Sequence, residues 1–416
     1  MERIISLFGL FAMMGLAWAL STHRKQVNLR IVAGGVLLQF VLALLILKTS
    51  PGHSLFAWLG DAFRNMQQFT DAGTMLIFGV FPQPGDEGLP PPYAVIRTLA
   101  FGVLPTIIVF SALMSVLYYL GVIQLLVRGL AKMMQVTLGT SGAETLAAAA
   151  NVFVGQTEAP LVVKPYLAKM TDSELMAMMV GGFATIAGGV MAVYASMGVD
   201  AGHLMTASVI SAPAGLVIAK LMIPETEISE TAGDAVPHIE RSGNNIIEAA
   251  TLGASDGLKL ALNVAAMLIA FTALVAMLDG LIGWTGTQFG QAWTLGAFMG
   301  YVFYPIALVM GVASEDALHV GELLGLKMVA NEFLAYQRMG EWLKPDSGVE
   351  LSERTQVILT YALAGFANLA SIGIQIGGIG ALVPERRSDL ARLGFKAMIG
   401  GTLACFMTAC IAGVLL

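Results

Sequence analysis

Charged side chains are scarce in this chain. Asp, Glu, Lys and Arg make up 12% of its 416 residues, whereas hydrophobic residues make up 56%. A soluble domain of this length carries about twice that charged fraction, so the composition excludes an ordinary soluble protein. The net charge of −6 is spread over the polar segments and indicates no nucleic-acid partner. The only cysteines, Cys405 and Cys410, fit small apolar packing positions.

Long segments contain no Asp, Glu, Lys or Arg at all. Most of them approach or exceed the roughly 20 residues that cross a bilayer as a helix. Strand-like alternation is absent, and a backbone surrounded by lipid must satisfy its own hydrogen bonds. The sequence therefore predicts an all-α polytopic membrane protein with about eight transmembrane helices. The segments are Ile4–Leu20, Ile31–Leu47, Thr98–Val127, Leu175–Val199, Leu204–Ala219, Leu260–Leu278, Thr355–Val383 and Ala397–Leu416.

The first segment has a second reading, as a cleaved signal peptide. Its charged n-region is weak and no small-x-small cleavage site follows, so we expect it to be retained as a helix. Lys and Arg cluster in alternate loops, for example at Arg24 and Lys25 and again at Arg386 and Arg387. The positive-inside rule makes these loops cytoplasmic, which places both termini on the periplasmic side of a bacterial inner membrane.

Three regions do not have the pattern of simple spans. His53–Gly79 mixes aromatic and charged residues, which is typical of an interfacial helix, and the proline-rich Pro82–Pro92 predicts an irregular loop. Pro224–Asn245 is a polar linker. Thr145–Thr157 is too short to span and is followed by Glu158, so it predicts a re-entrant hairpin whose tip lines a wet cavity.

The two halves of the chain resemble each other weakly. Phe183–Ala187 (FATIA) matches Phe366–Ala370 (FANLA), and both lie in the middle of a span beside glycines. Paired interrupted segments of this kind indicate the binding site of an inverted-repeat transporter. Coincidence in a Gly- and Ala-rich chain is the alternative.

Glu158 and Glu332 are the most informative ionisable residues. A carboxylate at membrane depth costs roughly 2.5–3.5 kcal/mol to insert and usually faces the bundle interior, where it marks a pathway. The structural alternative is an ion pair with Lys164, Lys327 or Arg338.

Thr185, Asn368 and Ser371 lie beside glycines in the middle of their spans. Small and hydroxyl residues often serve helix packing in membranes. Thr185, Asn368 and Ser371 lie within or beside the repeated FA-x-[IL]-A motif, and this position instead favours locally unwound helices, whose free carbonyls coordinate a cation.

Catalytic motifs are missing. The five histidines are scattered without metal-ligand spacing, and neither a Walker loop nor a GxSxG elbow is present. The chain is therefore expected not to be an enzyme and to need no cofactor other than a co-transported ion. An intramembrane enzyme acting on lipid-borne substrates is the alternative from another class.

Several long segments resemble the signature segments of the concentrative nucleoside transporter family. The likeness runs along essentially the whole chain, in the short bacterial form. The segments are Ala149–Pro160 (AANVFVGQTEAP), Phe183–Gly189 (FATIAGG), Lys327–Tyr336 (KMVANEFLAY), Gly365–Ser371 (GFANLAS), Pro105–Val122 and Gly321–Lys327 (GELLGLK).

The resemblance implies a homotrimer in which each subunit has a scaffold and a mobile transport domain. The transport domain would contain two opposed hairpins, at about Glu144–Met170 and Glu315–Leu343, and two broken helices. The implied organisation is 1–50, scaffold helices 1 and 2; 51–92, interfacial helix and loop; 93–143, scaffold helix 3 and interfacial helix; 144–223, first transport repeat; 224–245, linker; 246–313, scaffold helix 6 and interfacial helix; and 314–416, second transport repeat.

The resemblance also assigns ligand contacts. Gln156, Thr157 and Glu158 would contact a base, partly through water, while Val190 and Phe366 would pack against it. Glu332, Asn368 and Ser371 would bind the ribose. The carbonyls of Asn151, Val154 and Ile186 and the hydroxyl of Thr185 would bind sodium. Gln375 departs from the aliphatic residue expected there and receives no role.

Taken together, the sequence predicts a sodium-coupled nucleoside symporter that works by an elevator movement. Its implied partners are pyrimidine and purine nucleosides, Na⁺, the lipid bilayer and two further copies of itself. A proton-coupled nucleoside or nucleobase symporter, with Glu158 or Glu332 carrying the proton, is the alternative within transport.

Overall fold

A computed structural model describes residues 2–78, 100–101, 104–231, 243–344 and 347–416. The predicted loop Pro82–Pro92 and the middle of the predicted linker lie outside these residues. Within them the chain forms helices joined by short connections, and no strand occurs in the described ranges. The all-α prediction is confirmed.

Seventeen α-helices are described. They are α1 (Glu2–Ala19), α2 (Leu29–Lys48), α3 (Ser50–Phe78), α4 (Leu104–Tyr119), α5 (Val122–Leu138), α6 (Gly142–Asn151), α7 (Ala159–Val162), α8 (Asp172–Ala184), α9 (Gly188–Ser196), α10 (Ala201–Met222), α11 (Ile246–Gln288), α12 (Leu295–Val309), α13 (Ala317–Val329), α14 (Glu332–Trp342), α15 (Glu353–Leu363), α16 (Leu369–Leu382) and α17 (Arg387–Leu415).

Among the described residues, five helices are long and apolar enough to cross a membrane without interruption. They are α1, α2, α10, α11 and α17 with the turn that precedes it. Every predicted span is helical in its described part, but three of them are interrupted. Two, Leu175–Val199 and Thr355–Val383, are each divided into two shorter helices, α8 and α9 in the first case and α15 and α16 in the second.

The third interruption corrects the predicted single span Thr98–Val127. Helix α4 ends at Tyr119, and α5 leaves at an angle of 74°. Gly121 stands between them with φ of 83°, a left-handed conformation that glycine adopts without a steric cost. Helix α5 is amphipathic, with Val127 and Met134 buried and Arg128 and Lys132 exposed, so the absence of charge before Arg128 did not mark a continuous helix.

The order of elements repeats in the two halves. Helices α6 and α7 are separated by a non-helical segment, the broken pair α8 and α9 follows, and the long α10 closes the unit. Helices α13 and α14, the broken pair α15 and α16, and the long α17 repeat that order. Both FA-x-[IL]-A segments fall on the breaks, so the weak sequence repeat corresponds to a repeat in structure.

The long helices α10 and α17 are enclosed, whereas α11 exposes most of its apolar surface. Helix α10 packs against α2 and α8, and α17 packs against α1, α8 and α15, while α11 runs along α4. The two repeats therefore form one packed centre, and the apolar surface of α11 faces outward, where lipid or another subunit would cover it.

The predicted orientation is testable with single cysteines at exposed positions. Ser388, near the start of α17, should react with a membrane-impermeant thiol reagent only from the cytoplasm when replaced by cysteine. Gln291, between α11 and α12, should react only from the outside. The unsubstituted protein is a matched control, because Cys405 and Cys410 are buried. If Ser388→Cys reacted only from the outside and Gln291→Cys only from the cytoplasm, the predicted orientation would be wrong.

Candidate functional site

The break between α15 and α16 is stabilised by its own side chains. Asn368 is the N-cap of α16, and its Oδ1 accepts a hydrogen bond of 2.9 Å from the Ser371 backbone N–H. An N-cap of this kind satisfies a donor that the helix cannot satisfy itself. In the other break, the Ile186 backbone N–H donates to Ser208 Oγ at 3.2 Å.

The two breaks touch each other. A Cβ atom on Gly365 would lie 2.5 Å from the Phe183 carbonyl oxygen and 2.7 Å from Cys405 Sγ, so only glycine allows this approach. The contact brings the first FA-x-[IL]-A segment directly against the second. The repeated motif thus marks a crossing of two broken helices in the packed centre.

A buried carboxylate lies beside this crossing. Glu332 is the first residue of α14 and is only 5% exposed. Its Oε1 accepts a hydrogen bond of 2.9 Å from the Tyr194 hydroxyl, and its Oε2 accepts one of 2.9 Å from Asn368 Nδ2. The cluster joins α14 to α9 and to the cap of α16, and it leaves lone pairs on both carboxylate oxygens for a ligand.

The ion-pair alternative for Glu332 is wrong within the described residues. Lys327 is fully buried, but its Nζ donates to the Ala362 carbonyl at 3.0 Å. Arg338 pairs with Glu322 and Glu341. Glu332 is held instead by two neutral donors, which suits a carboxylate that binds a hydrogen-bonding ligand.

Glu158 is reached by water but is enclosed by surrounding protein, which agrees with the prediction that it faces the bundle interior. Its side chain is exposed in this structure, and it folds back over Gly155, where a Cβ would lie 2.2 Å from Oε2. Its position at the tip between α6 and α7 therefore places it beside a cavity within the protein. Thr157, one residue earlier, is half-buried beside Gly378 of α16.

Gln156 lies deeper than its neighbours at this tip. It is 7% exposed, and its Oε1 accepts a hydrogen bond of 3.0 Å from Gln375 Nε2 on α16. Gly182 of α8 makes room for the pair, since a Cβ there would lie 2.8 Å from Gln375 Nε2 and 2.9 Å from Gln156 Cβ. The first hairpin, α8 and α16 therefore meet around Gln156.

The residues predicted to bind sodium also lie close together. Asn151, the last residue of α6, is 1% exposed, and no described group bonds to its Oδ1 or Nδ2. Its side chain abuts Gly181, whose carbonyl accepts a bond of 2.9 Å from Thr185 Oγ1. Buried polar atoms normally have partners, so this set of neutral oxygens fits a small cation. Ile186 follows in the same break, and half-buried Val154 lies past the end of α6.

The two residues predicted to pack against the base, Val190 and Phe366, lie on the two broken helices. Val190 is buried on α9, one turn before Tyr194, and Phe366 is half-buried in the break before Asn368. Sequence reasoning missed Tyr194 as a partner of Glu332. The available signal was its hydroxyl within an uncharged span, because a buried tyrosine O–H needs an acceptor.

Three family models together match most of the chain. A model described as the N-terminus of Na⁺-dependent nucleoside transporters matches residues 8–81, and one for the C-terminus of the same transporters matches residues 203–413. A model described as nucleoside recognition matches residues 100–201 between them.

Relatives match the whole chain. An uncharacterized transporter of Haemophilus influenzae is 45% identical, covering 100% of this chain and 98% of that protein. Solute carrier family 28 member 3 of Eptatretus stoutii is 44% identical and sodium/nucleoside cotransporter 1 of Mus musculus 43% identical. The chain covers 61% and 64% of the length of these two animal proteins.

Solved structures agree over the whole chain as well. CNTnw in an inward-facing substrate-bound state has a TM-score of 0.90 at 44% identity, covering 100% of this chain and 98% of that one. A doubly substituted CNTnw in an outward-facing state has a TM-score of 0.91 at 43% identity, covering 100% and 97%.

The carboxylate cluster predicts a specific stability effect. Tyr194→Phe keeps the ring that packs on Tyr336 and removes only the donor to Glu332. We expect the free energy of unfolding to fall by about 1–3 kcal/mol, read as a lower melting temperature of the solubilised protein. Tyr301→Phe, at a 70% exposed residue, is the control and should change little. Equal melting temperatures for both variants would contradict the role of the hydroxyl.

Proposed function

The chain belongs to the family of Na⁺-dependent nucleoside transporters, and from this premise we propose that it is a sodium-coupled symporter that imports nucleosides across the bacterial inner membrane. One observation carries the proposal. The buried Glu332 carboxylate and the Asn368 amide lie 2.9 Å apart where a hairpin meets both broken helices. That pair has the chemistry to bind two adjacent hydroxyl groups.

The ribose would be the anchor of the substrate. An ionised Glu332 only accepts hydrogen bonds, whereas the Asn368 amide both donates and accepts. Together they match the vicinal hydroxyls of a ribose, and Ser371 lies one turn further along α16. Because the site is buried, each such bond is protected from competition by water.

The base would extend toward the first hairpin. Gln156, Thr157 and Glu158 are at its tip, and Val190 and Phe366 offer apolar contacts on the two broken helices. One of these three polar side chains is buried and two are accessible, which suits contacts to the base that pass partly through water. Water-mediated contacts can rearrange, so such a site would accept more than one base.

Sodium would bind at the root of the same tip. Asn151, Thr185 and the carbonyls of Val154 and Ile186 supply neutral oxygens, and hard cations prefer oxygen ligands. Within the described residues no group of three His, Cys, Asp or Glu side chains could hold a metal ion. The site as built thus favours a monovalent cargo ion over a tightly held divalent metal.

We further propose an elevator movement and a homotrimer. The related CNTnw has been solved in inward-facing and outward-facing states, so this architecture is compatible with two exposures of one site. The transport domain would comprise both hairpins and both broken helices, and α1, α2, α4 and α11 would belong to the scaffold. The exposed apolar surface of α11 supports an additional interface with lipid or with another subunit.

The ribose-anchor proposal predicts a ranking of competitors. Bonds to a charged group contribute roughly 1.5–3 kcal/mol, so removing the hydroxyl held by Glu332 should weaken binding about 10–100-fold. In proteoliposomes, 3′-deoxyuridine and uracil should therefore compete against labelled uridine far worse than cytidine does. In a Glu332→Gln variant with residual uptake, the penalty for 3′-deoxyuridine should shrink. If uracil competes as well as uridine, a nucleobase carrier is the better interpretation.

The sodium proposal predicts different results for two substitutions at one residue. Thr185→Ala removes the hydroxyl oxygen and should raise the sodium concentration for half-maximal uptake about tenfold or more. Thr185→Ser keeps the oxygen and is the matched control. Equal shifts would show that the hydroxyl does not contact the ion. Uptake that follows a pH gradient without sodium would favour proton coupling instead.

A further inference from the structure

One face of α16 carries three polar residues, and the proposed function uses only two of them. Asn368 caps the helix, Ser371 lies one turn on, and Gln375 lies one turn further. Residues seven apart on a helix differ in direction by only about 20°, so Asn368 and Gln375 point the same way. Gln375 is fully buried and contacts the first hairpin.

The hydrogen bonds of Gln375 fix the orientation of its carboxamide. Its Nε2 donates to the Met179 carbonyl at 3.1 Å and to Gln156 Oε1 at 3.0 Å. A backbone carbonyl only accepts, so turning the amide over would place oxygen against oxygen. The Met179 carbonyl therefore determines which end of the Gln375 side chain carries the donors.

The same logic extends to Gln156. Because Gln375 presents a donor, Gln156 must present its oxygen to Gln375 and turn its Nε2 group away. No described residue accepts a bond from that group, and the side chain is at the hairpin tip proposed to contact the base. Gln156 is thus held with its N–H donors turned away from Gln375, where a base bound at the tip would meet them.

Simple space filling does not explain Gln375. No described group donates to its buried Oε1, and an unpaired buried oxygen is unfavourable in a way that a methionine of similar volume would avoid. Gly182 leaves room for the two amides, where any larger residue would collide with them. The burial and the hydrogen bonds of Gln375 therefore indicate that its polar atoms, and not its volume, are what the position requires.

We propose that Gln375 is a positioning residue that fixes the Gln156 amide as a donor and thereby sets base selectivity. The inference rests on the proposed nucleoside transport. Uridine and cytidine reverse donor and acceptor at neighbouring ring positions, as do inosine and adenosine. A Gln156 that presents only donors should therefore distinguish the members of each pair, in a direction set by the ring position that faces it.

The test is competition against labelled uridine in proteoliposomes with a sodium gradient. In the unsubstituted protein, the inhibitory concentrations should differ about two- to tenfold within each pair, as expected for one hydrogen bond. In Gln375→Met, Gln156 is free to turn, so both ratios should move toward one. The ratio of uridine to 3′-deoxyuridine should stay unchanged, which a general loss of structure would not allow.

Two further variants sharpen the result. In a Gln156→Ala background, adding Gln375→Met should have no additional effect on the ratios, as expected for residues that act through one contact. Gln156→Glu leaves Gln375 intact, still accepts its bond and presents an acceptor to the base, so it should reverse the ratios. That variant remains informative if Gln375→Met does not fold.

Three outcomes would overturn the inference alone: ratios of one in the unsubstituted protein, ratios unchanged in Gln375→Met, or a shift that persists without Gln156. Absence of sodium-driven uridine uptake by the unsubstituted protein would instead overturn the proposed function, and this inference with it.

Discussion

The Glu332 carboxylate is bonded at the same time by Tyr194 from the first repeat and by Asn368 from the second. A charged group taken out of water needs donors in fixed positions, and here two different broken helices supply them. The crossing of those helices, the packing of Tyr194 on Tyr336 and the cap of α16 are the conditions that place the donors. Loss of any one would leave a buried carboxylate under-satisfied.

The broken helices are possible because each break has internal partners. In a membrane an unpaired backbone group is costly, so irregular backbone persists only where protein or a wet cavity satisfies it. The Asn368 side chain accepts a hydrogen bond from the first turn of α16, and Ser208 Oγ accepts one from the Ile186 N–H. The Gly188 N–H donates to the Phe153 carbonyl. The residues that stabilise the breaks thereby become fixed in orientation, which a binding site also requires.

The sequence was informative where physical chemistry forces a local signal. Charge-free runs identified the spans, and Pro, Gly and polar residues at the tip of the first hairpin identified a non-helical segment. Long-range partners were less accessible. Tyr194 and Glu332 are far apart in the chain, and nothing near either residue indicates the other. The bend at Gly121 also depended on how distant helices pack, so composition alone misassigned that span.

The position of the tip suggests how an ion and a nucleoside would be coupled. Asn151 and Gln156 belong to one short segment that leaves α6, and Gly181 and Gly182 of α8 contact the two side chains in turn. A cation between Asn151 and Thr185 would restrict that segment at its root and so restrict Gln156 at its tip. A ligand shifts a conformational equilibrium only by its differential affinity for the two states. Sodium would therefore favour nucleoside binding to the extent that it orders this segment, and the nucleoside would favour sodium by the same factor.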